Sequence, residues 1–408
     1  MNQQNLDYLK KHYNNYVYPK PIEDIHEEFI KKKKRYIFDP TYHWHRIWPE
    51  LPFSANQLKI LIAGCGTNEA AVLSLCNPNH LVTGIDISEN SIAHQKKLIK
   101  KHQINNLNLI CDDFRNINFQ SKFDLIISAG VIHHLNDPET ALKYFYDNLN
   151  QDGAVGLMVY GDKIGLMIKE IKKIFNKMKL EHNKKSVDLI RSLVNQLNPS
   201  HPLYAFIKKS LDFQYDSGII DLFLHKSEKF YSIKDLINIL STNNLYIKNF
   251  IGGNISSFTK YFAADKDFLQ NARELSIEDQ WEGAQFLNWD DRKIQVVISK
   301  NKKLQALAYK RYNLNEIYVC RVTGAEYLID NNKIAIRLPE SGEKVEFNIL
   351  VKDKNLLINI FNGKVKLKSF FELYKQDHLG KLKEVFSILI ENSYLEVTLH
   401  PVVVDRNL

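Results

Sequence analysis

The residues that first suggest chemistry are Ile62-Ala63-Gly64-Cys65-Gly66-Thr67-Asn68-Glu69. Gly64 and Gly66, either side of Cys65 after an apolar run, let the backbone turn tightly and come within van der Waals reach of a ligand. A helix opening there would turn free N–H groups toward a carboxylate. Asp86 stands 22 positions after Gly64 at the end of a second apolar run, within Gly84-Ile85-Asp86-Ile87-Ser88. Its carboxylate can accept from both hydroxyls of a ribose. Cys111-Asp112-Asp113-Phe114 closes a third run, with Asp112 placed to accept from an adenine amino group and Phe114 to border the ring. After a fourth run comes Gly130-Val131-Ile132-His133-His134. An imidazole, with a pKa of about 6.5, can take a proton at neutral pH, so His133 and His134 are the candidate bases. Tyr160, and Asp221 with His225 four residues on, are candidates for lining an acceptor pocket.

These stations need a scaffold that brings strand ends together. Apolar runs at 60–63, 81–85, 107–111, 123–128 and 154–160 alternate with helical stretches, one capped by Ser88 and one starting at Pro138. That alternation predicts a doubly wound, mostly parallel sheet covered on both faces, with ligands at the carboxyl ends of its strands. Two later strands, 246–250 and 294–299, would complete a seven-stranded, Rossmann-like α/β sheet. Residues 161–230 then read as a helical insertion in a domain spanning 55–300. Residues 1–54 read as an aromatic segment packing on that core, with Tyr42, His43 and Trp44 placed to close the pocket. Residues 301–408 read as a small α+β domain: strands at 333–338, 345–351 and 356–360, a helix over 379–392 and a strand over 394–399. A helix followed by a strand pair is winged-helix-like.

The sixth position of a dinucleotide fingerprint is a glycine packed beside the pyrophosphate; here it is Glu69. S-adenosyl-L-methionine carries no phosphate and is cationic at sulfur and amine, so it fits the pattern better. Ala63-Gly64-Cys65-Gly66-Thr67, Gly84-Ile85-Asp86-Ile87-Ser88 and Gly130-Val131-Ile132-His133-His134-Leu135 together resemble the motifs of class I S-adenosylmethionine-dependent methyltransferases over residues 55–160. Ala63 to Ala71, with Asp221-Leu222-Phe223-Leu224-His225 and Tyr231-Ser232-Ile233, resembles more narrowly a bacterial subfamily that carries the same insertion. The resemblance implies an enzyme that transfers a methyl group, with Ala63, Gly64, Cys65, Gly66, Asp86, Ile87, Asp112, Asp113, Phe114 and Gly130 around the cofactor. It does not supply the acceptor. The C-terminal unit, which resembles a domain ending some bacterial protein-lysine methyltransferases, favours a protein side chain. The insertion and the aromatic residues near the site favour a small metabolite as the alternative, and a cofactor-sensing regulator of nucleic acid is a third.

Composition narrows the classes. The chain has 408 residues, 44% hydrophobic and 25% charged, with a net charge of +8, so it can bury a large core. No run reaches the about 18 apolar residues of a membrane span, and no secretory signal opens the chain; a cytoplasmic protein is expected. The one basic run, Lys31 to Arg35, reads as a solvated helix face, and nucleic acid is not expected as a partner. Cys65, Cys76, Cys111 and Cys320 match no zinc spacing. They read as reduced thiols, and no metal is expected.

Overall fold

The computed structural model describes residues 3–225, 228–251, 258, 266–288, 292–308, 312–322, 325–337 and 344–403. The chain forms two compact units: 1–36, 57–245 and 288–300 in the first, and 37–56, 246–287 and 301–408 in the second. This division differs from that read in the sequence: 37–56 and 246–287 are grouped with the C-terminal residues, although the strand at 246–250 pairs into the seven-stranded sheet.

The strands of the main sheet are β1 (Lys59–Ala63), β2 (Leu81–Asp86), β3 (Leu107–Cys111), β4 (Phe123–Ala129), β5 (Leu149–Tyr160), β6 (Tyr246–Phe250) and β7 (Lys293–Ser299). They lie in the order β3-β2-β1-β4-β5-β7-β6. β1 to β5 pair in parallel, and β7 runs antiparallel to β5. Ile60, Leu61, Ile62 and Ala63 are all fully buried, as a strand covered on both faces requires. β1 sits beside β4, so the chain reverses winding direction there. The loops after β1, β2 and β4 consequently open at one edge of the sheet, at the switch point.

Helices in this unit are α1 (Gln3–Asn15), α2 (Glu69–Cys76), α3 (Glu89–His102), α4 (Pro138–Asn148), α5 (Asp162–Lys177), α6 (Lys184–Gln196), α7 (Pro202–Lys209), α8 (Asp216–Leu224) and α9 (Ile233–Thr242). Ser88 caps α3 by accepting from the Ser91 N–H, and Asp137 caps α4 by accepting from Thr140. Helices α5 to α8 form the insertion around their own core, with Ile164, Ile168, Val187, Ile190, Ile219 and Phe223 in its centre. The insertion is rooted at its ends: the Tyr231 N–H donates to the Tyr160 carbonyl (2.9 Å), and the Asp162 N–H to the Tyr231 carbonyl (3.0 Å). Lys31 and Lys32 pair with Glu27 and Glu28 one turn back and are exposed.

The second unit contains a three-stranded antiparallel sheet, β9 (Glu326–Asp330), β10 (Lys333–Arg337) and β11 (Lys344–Asn348), and a pair formed by β8 (Tyr318–Arg321) and β12 (Leu395–Thr398). Residues 354–361 are a helix, not the expected strand. Asp353 caps it by accepting from Leu356, and Leu357, Ile360 and Phe361 are buried at helical spacing. A short apolar run carries no periodicity that separates the two forms. The helix Gln376–Glu391 is followed by one strand, which pairs with the distant β8. Among the described residues it is not followed by the strand pair of a winged helix. Tyr42, His43 and Trp44, read in the sequence as closing a pocket of the sheet domain, are grouped with this second unit. Trp44 packs on Trp48 and donates Nε1 to the Leu51 carbonyl (3.1 Å). Cys111 is exposed, unlike the buried Cys65 and Cys320. Among the described residues no helix is long and apolar enough to cross a membrane.

Candidate active site

The loop between β1 and α2 has the backbone that its glycines require. Gly64 and Gly66 adopt φ of +82° and +53°, a region costly for any residue with a Cβ. A Cβ on Gly64 would stand 2.3 Å from Val131 Cγ2, and one on Gly66 2.8 Å from the Tyr18 carbonyl oxygen. Asp86 lies directly behind the loop. Its Oδ2 accepts from the Gly66 N–H (2.8 Å) and its Oδ1 from the Ser88 N–H (2.9 Å). Burial raises its pKa, and these two N–H donors work against that rise. Each oxygen keeps a second lone pair for a ligand hydroxyl. Gln95 locks the loop by donating to the Gly66 carbonyl (2.7 Å) and accepting from the Ala71 N–H (2.9 Å). The Cys65 N–H donates to Ile85 (3.0 Å) and its buried thiol faces Gln95, so its side chain supports the loop from behind.

The N-terminal segment was expected to pack on the core, but sequence reasoning missed which of its residues strap the glycine loop. After α1 the chain crosses the loop: the Thr67 hydroxyl donates to the Pro19 carbonyl (2.7 Å), and Asn68 Nδ2 to Lys20 (3.0 Å). Ser88 donates its hydroxyl to the Tyr13 carbonyl (2.9 Å). The available signal was Tyr18-Pro19-Lys20-Pro21, a rigid extended stretch with no periodicity of its own.

The station after β3 is only partly open. Asp112 is exposed and accepts from the Asp113 N–H (2.6 Å) and Asn116 (3.1 Å). Asp113, however, is buried and ion-paired to Arg115 (2.6 Å), so its carboxylate holds a turn. Phe114 stacks on Phe145, ring centres 5.5 Å apart, in the core. Ala63 ends β1, fully buried, and Ile87 is half-buried beside Asp86. Gly130 has φ of +78° and donates its N–H to Met158 (3.1 Å), turning the chain from β4 into the histidine loop.

That loop meets the other candidates. The His133 ring lies 3.9 Å from Tyr160 and 4.2 Å from His134, and His134 lies 4.2 Å from His225. Asp221 Oδ1 accepts from the Tyr13 hydroxyl (3.2 Å). His133 is fully buried and neither ring nitrogen has a hydrogen-bond partner. Burial, then the charges of His134 and Arg292, hold its pKa well below the ordinary histidine value. It is therefore neutral and a weak base. Sequence reasoning also missed Arg292, whose guanidinium carbon lies 3.5 Å from the centre of the Tyr160 ring. It is 6% exposed; its Nε and Nη2 have no hydrogen-bond partner, and Nη1 is 4.0 Å from Asp212. Burial works against its charge, but Tyr160, Glu228 and Asp212 outweigh that and raise its pKa. A lone arginine before the apolar run of β7 was the signal.

Residues 54–200 match the family model of a methyltransferase domain. The chain carries a methyltransferase domain. That domain is 30% identical over 112 residues to a malonyl-[acyl-carrier protein] O-methyltransferase of Priestia megaterium, a match covering 27% of this chain and 39% of that protein. To the protein of the same description from Bacillus cytotoxicus the chain is 26% identical over 197 residues, covering 48% and 66%. The chain thus spans less than two thirds of these curated relatives. The structure of PKMT2 from Rickettsia typhi shares the fold over 90% of this chain and 76% of its own, with a TM-score of 0.61 and 18% identity. The matched stretch spans the glycine loop, Asp86 and the histidine loop, and does not include the strap or Arg292.

Proposed function

We propose that this chain is an S-adenosylmethionine-dependent methyltransferase that methylates an oxygen of a small acidic acceptor. The observation that carries the cofactor reading is the joining of the Gly64–Gly66 turn to the Asp86 carboxylate at 2.8 Å. A Cβ on either glycine would collide with Val131 or with Tyr18, and the remaining lone pairs of Asp86 would accept from a ribose. Gly64, Gly66 and Asp86 would hold the nucleoside, Asp112 its base, and Tyr13 to Lys20 would cover it. PKMT2 has been seen with AdoHcy bound, a product of such chemistry.

The cofactor would supply an electrophilic methyl group on a sulfonium. Methyl transfer then asks the protein chiefly to align the acceptor and exclude water. The Arg292 donors left without partners fit an acceptor carboxylate, which accepts two parallel N–H bonds from a guanidinium. Tyr160 holds that guanidinium flat. A carboxylate is already deprotonated at neutral pH and needs no base, which suits a neutral, buried His133. Its role would then be to shape the pocket, and that of His134 to face His225. A protein side chain is the second reading, supported by the separate C-terminal core around Leu357, Phe370, Phe386 and Leu389.

The test is incubation of the full chain with methyl-labelled S-adenosylmethionine and a bacterial extract. Label in small acidic solutes that is released by alkali, as a methyl ester would be, supports the proposal. Label in precipitated protein supports the second reading, and label in neither overturns both.

A further inference from the structure

We propose that His12, Asp221 and His225 form a binding site for one first-row divalent metal ion. The residues come from α1 and from the end of α8, and all are buried. One donor atom from each lies within 4.8 Å of the others. Asp221 and His225, four residues apart, project from one side of a helix and its C-cap, a spacing that recurs in metal sites. His12 approaches from the N-terminal helix, its Nε2 3.9 Å from Asp221 Oδ1.

Two further observations point to a ligand rather than to packing. The His12 side chain is fully buried, and neither of its ring nitrogens has a hydrogen-bond partner. Burying an unpaired polar group costs about 1–3 kcal/mol in protein mutational data, and a bound ion would engage one of these nitrogens. Second, Asp221 is oriented from outside the trio, because the Tyr13 hydroxyl donates to its Oδ1. Carboxylates that bind metals are held in this way. Two imidazoles and one carboxylate suit Zn²⁺, Fe²⁺, Co²⁺ or Mn²⁺ rather than Mg²⁺ or Ca²⁺, which prefer all-oxygen sites. Donors about 2.0–2.2 Å from a common ion stand closer together than these atoms do, and side-chain rotation of the two histidines would draw them in. Three protein ligands leave a coordination position for an acceptor oxygen. The His225 ring is 4.2 Å from His134, which places the ion beside the histidine loop.

The inference departs from the expectation of no metal and does not depend on the cofactor reading. The experiment uses the full chain, stripped with chelator and dialysed. It is titrated with Zn²⁺ by calorimetry and with Co²⁺ by visible absorption, and S-adenosylhomocysteine binding is measured separately. The expected result is a single equivalent of metal, a Co²⁺ ligand-field spectrum with nitrogen ligands, and a loss of affinity of at least about tenfold in both His12→Ala and Asp221→Asn. Absence of binding to the unmodified chain, or unchanged affinity in His12→Ala, overturns the proposal. If His12→Ala does not fold, His12→Gln and the cobalt spectrum of the unmodified chain decide. Metal binding without S-adenosylhomocysteine binding would sink the cofactor reading alone.

Discussion

The Gly66 amide donates to the Asp86 carboxylate at 2.8 Å, so the glycine loop and this acid form one unit. Asp86→Ala removes both the ligand contact and the anchor of the loop. A hydrogen bond to a charged group is worth about 1.5–3 kcal/mol, so S-adenosylhomocysteine affinity should fall by about tenfold to a hundredfold in calorimetry. Asp86→Asn, which still accepts, should fall less. Unchanged affinity in Asp86→Ala would remove this residue from the site.

Gly66→Ala tests the strap. The added methyl would meet the Tyr18 carbonyl oxygen at 2.8 Å and Pro19 Cδ at 2.9 Å, at a positive φ. The strap must lift or the loop must shift. Limited proteolysis should then cut between Tyr13 and Lys20 faster than in the unmodified chain, and cofactor affinity should drop. Equal cleavage rates would show that the strap does not depend on this glycine.

Arg292→Met separates function from stability. The attraction of Tyr160, Glu228 and Asp212 outweighs the burial cost of this guanidinium, so its removal gives up some stability, while the methionine keeps contact with Tyr160. The melting temperature should fall only modestly. Transfer to an acidic acceptor should fall by about a hundredfold, the worth of about 2.7 kcal/mol. Full activity would refute the carboxylate reading.

Glu69, half-buried at the start of α2, has its pKa raised by burial from 4.5 to about 8. The helix N-terminus favours its charged form, but burial dominates. Between these values the folded state holds a proton that the unfolded chain releases. Its contribution to stability is therefore full below pH 4.5, declines as the pH rises, and is lost above about pH 8. Discounted for partial exposure, about 1–2 kcal/mol is at stake. Thermal melts at pH 5 and pH 9 should show a larger loss for the unmodified chain than for Glu69→Gln. Equal losses would contradict the shift.

The glycine turn, Asp86 and Gly130 were legible because each is local. A strand end, a tight turn and a helix start are specified by a few consecutive residues, and the order of the runs fixes their neighbours. Asp113 and Phe114 sit in the same kind of motif, yet one is tied to Arg115 and the other stacks on Phe145. Adjacent residues can point to opposite sides, and identity alone does not say which one faces the ligand. The run at 354–361 was misread for a related reason, since a short apolar stretch fits a buried strand and a buried helix equally.

By itself the sequence determined the parallel sheet, the glycine turn that opens its first helix and the methyltransferase character of residues 54–200, because hydrophobic period and turn chemistry act over short spans. The tertiary structure alone decided what covers and completes the candidate site. Tyr13 reaches Asp221, Tyr18 lies over Gly66, and Arg292 lies on Tyr160. Those pairs are far apart in the chain and obey no periodicity, so only the closure of the fold brings them together.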